Sequence, residues 1–501
     1  MSFNRDEFFG EYNSLISRVM DEFDGRFAAL ASPLLSKQET VSGLYQIILA
    51  ERSGNVVPGF PWKEIFQFLP RLFLILFRLC YASFFFRVAD LPRGAVCFSS
   101  WLEPGCVKGS SLIDEHFRNI PEDLAEKMPV IVLQQSYDLS LLKRVRSLDK
   151  PKNYFVAEGL MSIFDILAVT FDYLTSARLR LKREYFLGGK NISSSLKRAL
   201  LVEFLTFAPF LAYQKKVISR RLLSYKPRAF IYVFENQSWE KVCCKVLRPA
   251  SVTLIGVQGS GFSPFFLNFF PTEIDARKQP MPDAIFTVGD LFSRYLQTFG
   301  NYKIPIQTFA AARFPYPVVD SKFLVAMPNT NYISRVLYAF SVHIDQYQAI
   351  LSDLIRAFEG SGIEVDLKLH PQFRTETIAG FNRLPHGFEV VSSIHMDQLS
   401  ATYDCVIFND NSFGIEAIIS GVKSYQYDRE GAFIDERLFY FDLWDAQIDF
   451  AGLNELRSQI ATRKFDKGFD VTAARGYINS MYRPYEGDLG LLLNVVGAND
   501  H

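Results

Sequence analysis

The chain has 501 residues and a mass of 57.3 kDa, with 54 basic and 54 acidic side chains, zero formal net charge and a pI near 7. That balance excludes a generally basic nucleic-acid binder and an acidic disordered protein. With 49% hydrophobic and 22% charged residues the chain can bury a large core, and its length predicts at least two domains.

The N-terminus, MSFNRDEFFGEY, carries acidic residues where an export signal has a basic region followed by an apolar run, so no signal is expected. Six cysteines, at 80, 97, 106, 243, 244 and 405, form no CxxC pair and predict a reducing, cytoplasmic setting. The first sixty residues read as helix and loop. Phenylalanine is unusually abundant, at 48 residues, and it clusters. The densest cluster is Phe66–Val88, FQFLPRLFLILFRLCYASFFFRV, long enough for a bilayer but interrupted by Arg71, Arg78 and Arg87. A helix here would hold Arg71 and Arg78 on one face and phenyl rings on the other. It fits a membrane interface, with arginines at the headgroups, or a core helix with snorkelling arginines.

Strands are predicted at 94–99 and 129–133, and mostly helix over 158–224. From Arg178 to Arg228 thirteen basic residues face two acids, a local charge of +11 that the remainder must offset with −11. Interleaved apolar clusters suit an anionic membrane or a solvated helical face. Short β-rich runs follow at 229–234, 252–257 and 284–288, each leading into a polar or glycine-bearing loop, as buried parallel strands do. After a proline-bearing connector the pattern resumes. Strands are expected at 323–327, 365–369, 388–391, 405–408 and 423–427, with helices over 341–358 and 412–419. Such alternation predicts an α/β protein of two Rossmann-like, doubly wound parallel-sheet domains with helical N-terminal additions. The expected bounds are 1–315 and 316–501, the last helix having the option of packing back on the first domain. Ligands belong at the carboxyl ends of such strands.

The candidate chemistry sits at those ends. In CVIFNDNSFGIEAIISG a strand delivers Asn411 and Ser412 onto a helix N-terminus, where N–H groups and the helix dipole favour a phosphate. Glu416, one turn on, is placed to accept from ribose hydroxyls, or is simply a first-turn acid. His370, before Pro371, leaves a strand end with Lys368 two residues back. In the earlier half Glu235 follows AFIYVF and reads as a general base, a nucleophile or a helix-start acid. Asn236 and Gln237 would orient a sugar hydroxyl. Gln258, Gly259, Ser260 and Gly261 follow the next strand as a cleft lining, and Phe262, Phe265, Phe266, Phe269 and Phe270 form a second ring cluster beside them. Glu158 is a further catalytic candidate. No metal site is expected, Asp410 reading more simply as a helix cap, and there is no Walker A, HExxH or GxSxG motif.

At His370-Pro371, the Ser412 loop with Glu416, and the segment Glu235 to Glu240, the chain resembles GT-B glycosyltransferases of bacterial surface-polysaccharide biosynthesis. Within that group it is similar to the capsule and O-antigen transferases that use CMP-activated ulosonic acids, and to CDP-glycerol polymerases. The resemblance spans roughly 225–430, with Gln258 where several such families have a histidine and Asn411-Ser412 where they have two serines. It implies that His370 and the serine loop engage the nucleotide phosphate and that an N-terminal carboxylate serves transfer. The implied function is metal- and cofactor-independent transfer from a nucleotide-sugar donor to a lipid-linked or polysaccharide acceptor, at the inner face of the cytoplasmic membrane and without nucleic acid. The rivals are a nucleotide-sugar epimerase, a CDP-glycerol-type phosphotransferase on the same fold, and a non-catalytic membrane-tethered scaffold.

Overall fold

The computed structural model describes residues 5–22, 62–313, 333–428, 449–462 and 476–497, with short gaps inside these stretches, among them 177–180, 260, 263–265, 371–372, 410 and 412. The expected strand at 323–327 and the candidates Ser260, Phe265, Asp410 and Ser412 lie outside the described residues.

Two compact units divide the chain, residues 1–315 with 483–501 and residues 316–482. The sequence reading bounded the second domain at 316–501 with the option that the last helix packs back on the first; the final segment, 483–501, belongs with the first unit. Leu489, Leu492 and Val496 enter its apolar core. The Arg483 backbone also bonds to Val288 and Ala311, each at 2.7 Å.

The main sheet of the first unit has, among the described residues, seven strands: β1 (Val96–Trp101), β2 (Val130–Gln135), β3 (Tyr154–Val156), β4 (Ala229–Phe234), β5 (Thr253–Gln258), β6 (Ala284–Thr287) and β7 (Ile306–Thr308). All neighbours are parallel, in the order β7-β6-β5-β4-β1-β2-β3. In the second unit β8 (Arg335–Ala339), β9 (Glu364–Lys368), β10 (Phe388–Val391), β11 (Cys405–Phe408), β12 (Lys423–Asp428) and β13 (Asp449–Ala451) form a parallel sheet in the order β10-β9-β8-β11-β12-β13. Each sheet therefore runs outward from its first strand in one direction and then reverses, the doubly wound Rossmann-like order expected from the alternation. Continuous apolar runs dictate this arrangement. Every residue of β2 and β4 is buried, which only a strand covered on both faces tolerates.

Two departures have local causes. The central strand β8, RVLYA, was not expected; its apolar run is short and follows the polar pair Ser334-Arg335. The helix expected over 341–358 begins at Tyr347, because Ser341 is spent on the strand end: its N–H donates to Asn409 Oδ1 at 3.1 Å.

Seven helices matter below: α1 (Trp62–Phe85), α2 (Ile163–Ser176), α3 (Ala208–Leu223), α4 (Ser238–Leu247), α5 (Tyr347–Phe358), α6 (Phe413–Ile419) and α7 (Gly490–Val495). The 158–224 region is interrupted by a short hairpin at 186–191. A 3₁₀ turn, Ala157–Leu160, follows β3 and lies against the end of α1, where the Val88 N–H donates to the Gly159 carbonyl at 3.1 Å. A Cβ at Gly159 would sit 2.0 Å from the Phe86 carbonyl oxygen, and backbone cannot yield as a side chain does. Gly159→Ala should therefore lower the unfolding free energy by about 1–3 kcal/mol in urea titrations. An unchanged midpoint would show that the turn moves freely.

Candidate active site

In the first sheet the winding reverses between β1 and β4, and a crevice at the carboxyl ends of these two strands is the expected consequence. Trp101 ends β1 and Glu235 follows β4. Around them stand Glu103, His116 and Arg313. Arg313 Nη2 lies 3.8 Å from Glu103 Oε2, and Arg313 Nη1 lies 3.4 Å from His116 Nδ1 and 3.3 Å from the Gly259 carbonyl oxygen, to which it donates. Arginine only donates, so His116 Nδ1 accepts and Nε2 carries the proton. That Nε2 has no hydrogen-bond partner among the described residues and lies 3.9 Å from Glu103 Oε1. Gly259 is required here. A Cβ would meet Val233 Cγ1 at 2.4 Å and His116 Nδ1 at 3.6 Å.

Burial, opposed by Arg313 and reinforced by Glu103, raises the Glu235 carboxyl above the ordinary glutamate value. Burial likewise raises Glu103, with Arg313 opposing. Asp114 holds the His116 loop in place by accepting from the N–H groups of His116 (2.9 Å) and Phe117 (2.8 Å), from Gln134 Nε2 (3.2 Å) and from the Ser100 hydroxyl.

The turn bearing Glu235 is rigidly braced. Asn236 takes a left-handed φ of 56°, which asparagine tolerates. Its Nδ2 donates to the Asn268 carbonyl, Asn268 Nδ2 donates to the Glu235 carbonyl, both at 2.6 Å, and Lys241 Nζ donates to Asn236 Oδ1. The Glu240 carboxylate accepts from the N–H groups of Glu235, Asn236 and Gln237 at 2.9–3.0 Å. Asn236, expected to orient a sugar, braces this turn, and Gln237 stands at the N-cap position of α4. Gln258 is buried and its Oε1 accepts from the Val288 N–H at 3.2 Å, which ties the end of β5 to the end of β6. Gly261 is half-buried, and Phe262 stacks on Phe269 with centroids 4.2 Å apart.

Glu158 is fully enclosed, in the 3₁₀ turn after β3. Its Oε1 accepts from the Ser136 N–H (3.3 Å) and Gln214 Nε2 (3.4 Å), Oε2 has no partner, and burial raises its pKa against Arg78 and Lys215. Beside it the structure reveals a group the sequence reading missed. Lys215, on α3, is fully buried, with Nζ 3.2 Å from Ser99 Oγ, 4.7 Å from the Trp101 ring centre and 4.8 Å from that of Trp239. Tyr137, 56% exposed, stacks on Trp101 at 5.0 Å, with the Arg78 guanidinium 5.7 Å from its ring. The only sequence hint was that Trp101 and Trp239, two of the four tryptophans, flank a strand end and a helix start. His116, Glu103 and Arg313 carried no such signal, lying in loops far apart along the chain.

In the second sheet the reversal falls between β8 and β11. Asn409, following β11, bridges it: Oδ1 accepts from the Ser341 N–H and Nδ2 lies 3.2 Å from Ser341 Oγ. Asn411 Nδ2 donates to the Ala339 carbonyl (2.9 Å), and its Oδ1 accepts from the Phe413 N–H (3.0 Å), capping the start of α6. A Cβ at Gly414 would lie 2.2 Å from the Phe408 ring, so the helix packs directly on the strand that feeds it. Lys368, at the end of β9, holds Nζ 4.6 Å from the Phe413 ring centre; burial lowers its pKa and Glu416 raises it. His370 is half-buried, its N–H on Tyr347 Oη at 3.3 Å and its ring 6.1 Å from that of Phe373. Lys368, His370, Asn411 and Glu416 thus belong to one end of one sheet.

No family model matches the chain, and no curated protein matches it. Among solved structures it is similar to UDP-N-acetylglucosamine 2-epimerase from Rickettsia bellii, at 11% identity and a TM-score of 0.43, covering 82% of this chain and 97% of that one. It is also similar to the glycosyltransferase SnogD from Streptomyces nogalater, at 14% and 0.44, covering 80% and 99%. Arabidopsis thaliana UGT89C1 complexed with quercetin aligns at 16% and 0.47, covering 81% and 99%.

His116 gives a pH test of this geometry. Burial, aided by Arg313 and Arg118, pushes its pKa down to about 3 from 6.5. Below 6.5 the unfolded chain takes a proton that the folded chain refuses, so the residue's contribution is complete above that pH and is lost as pH falls toward 3. His116→Gln should flatten the wild-type loss of unfolding free energy across this window by up to about 1.4 kcal/mol per pH unit. Identical slopes would place the imidazole in solvent.

Proposed function

We propose that the chain is a nucleotide-sugar-dependent glycosyltransferase in which Glu235 is the general base. The observation that carries this reading is the Glu235 carboxyl, held at the carboxyl end of β4 by a braced turn, raised by burial and faced by Arg313. A base raised toward neutrality takes a proton more effectively than an ordinary glutamate. In the proposed step Glu235 accepts the proton of an acceptor hydroxyl and the freed oxygen pair bonds to the anomeric carbon. The bond from that carbon to the nucleotide phosphate oxygen breaks, its electron pair leaving with the nucleotide. Lys368, His370 and the N–H groups at the start of α6 support the phosphate, and Glu416 the ribose. The positive charge the step needs is supplied by side chain and backbone, with no metal or cofactor in the scheme. The favoured donor is a CMP-linked ulosonic acid, on the resemblance of the His370-Pro371 and Asn411-Ser412 segments. The favoured acceptor is a lipid-linked or polysaccharide glycan at the cytoplasmic face of a membrane.

A panel of CMP-, UDP-, GDP- and CDP-linked donors, scored for nucleotide release with and without acceptor, tests the proposal. Sugar isomerisation without acceptor would make the protein an epimerase, and no nucleotide binding at all would leave the scaffold reading. Glu235→Gln should lower kcat by about 10²–10⁴-fold at nearly constant donor KM, the usual scale for a lost acid–base group. Lys368→Met should act chiefly on donor KM.

The pH profile has a definite sign. The base works ionised, so the rate should rise with pH through a pKa above the ordinary 4.5 of glutamate. Arg313→Met removes a cation that favours the ionised form and should move this limb to higher pH. A limb at the ordinary value in both proteins would remove Glu235 from the role.

A further inference from the structure

The helix α1 presents two unlike faces. Arg78, Leu79 and Ala82 point inward, so Arg78 is in the protein, beside Tyr137, and not among headgroups. On the opposite face Trp62, Phe66, Leu69, Phe73 and Phe77, spaced three or four apart, and Phe84 a further seven along, are between 49% and 77% exposed. Helix α2 packs beside α1 and repeats the pattern, with Ile163, Phe164, Leu167, Phe171 and Leu174 exposed and Ile166, Val169 and Tyr173 buried. Between them lies a groove of about 920 Å³, lined on the α1 side by Phe77, Tyr81 and Phe84 and on the α2 side by Ile163, Phe164 and Ile166. Eleven large apolar side chains on two adjoining helices form far more exposed apolar surface than scattered surface residues do.

The charges around this face select its partner. Its central acids are already engaged, Asp165 by Arg221 at 2.7 Å and Asp172 by Lys216 at 2.9 Å. Lys63 is exposed at one end of this face and Arg87 and Arg146 at the other, Arg146 lying 3.9 Å from the Phe85 ring centre, and none of the three enters an ion pair among the described residues; Glu64 and Asp90 stand at the same two ends, and Arg71 shares the side of Arg78. A second copy would bring these cations only Glu64 and Asp90, one at each end, and no carboxylate near the rings between them. An anionic bilayer offers hydrocarbon to the rings and phosphate to the cations.

We propose that α1 and α2 together dock the protein on an anionic lipid bilayer, lying in its interface with the intervening groove turned to the acyl chains. This rests on the first unit alone and stands whether or not the glycosyltransferase reading does. The test is sedimentation of the full chain with vesicles of phosphatidylcholine carrying phosphatidylglycerol at about one third, compared with phosphatidylcholine alone. The wild type should bind the mixed vesicles, and less so as salt is raised. Phe73→Glu and Phe164→Glu should each weaken binding about tenfold or more, the scale of one large apolar side chain withdrawn from hydrocarbon. The control Phe299→Glu, at a ring 52% exposed elsewhere on the same unit, should leave binding unchanged. Far-ultraviolet circular dichroism checks that the variants fold. The proposal is overturned if the wild type ignores the mixed vesicles, if Phe299→Glu weakens binding as much as the other two, or if the wild type is a dimer that Phe164→Glu dissociates.

Discussion

A parallel sheet buried on both faces has no room for polar chemistry along its strands. Every residue of β2 and β4 is shielded from water, and the interior strands of the second sheet are nearly as closed. Function is therefore confined to the first few residues after each strand. Glu235, Gly259, Tyr137 and Glu158 follow four strands of the first sheet, and His370 and Asn409 follow two of the second. The reversal of winding then decides which of these ends is open, because connections cover the others. Glu103 and Glu235 flank one reversal, and Ser341 and Asn409 the other.

Placing ionisable groups at such ends requires that each burial be compensated, and the protein does this unequally. Asp114 and Glu240 are surrounded by N–H and hydroxyl donors, which fix loop and turn geometry. Lys215 has one hydroxyl and two indole faces, a weaker set of partners for a cation with no exposure to water. Glu235 and His116 are left least satisfied. A fully partnered carboxylate would be a poor base, so incomplete compensation at Glu235 is what its proposed role demands.

The strands and the paired Rossmann-like order were legible because alternating apolar runs and polar loops follow directly from burial on both faces. So was the position of Glu235, His370 and Asn411, since each stands one to three residues beyond such a run, and of Lys368 at the end of one. What could not be read was the role of neighbours. Asn236, Gln237 and Gln258 look the same in sequence whether they face a ligand or brace a turn, and the partners of Asn236 and Gln258, Asn268 and Val288, become visible only in the fold. Arg313 meets Glu103 and His116 across about two hundred residues, and Lys215 meets Ser99 across more than a hundred, and no local pattern records contacts of that range.

The basic stretch between Arg178 and Arg228 shows the same limit from the side of charge. Its +11 reads as one cationic face, yet Lys215 is enclosed by tryptophans, Lys216 and Arg221 are paired with Asp172 and Asp165, and Arg228 donates to the Gly497 carbonyl. Each of these charges is used within the first unit, three of them on α3. The same ion pairs neutralise the acids of α2, which is what leaves its outer stripe purely apolar. An unpaired Asp165 or Asp172 would oppose any anionic surface, so the internal use of the basic segment is itself what makes the ring-bearing face of α1 and α2 compatible with one.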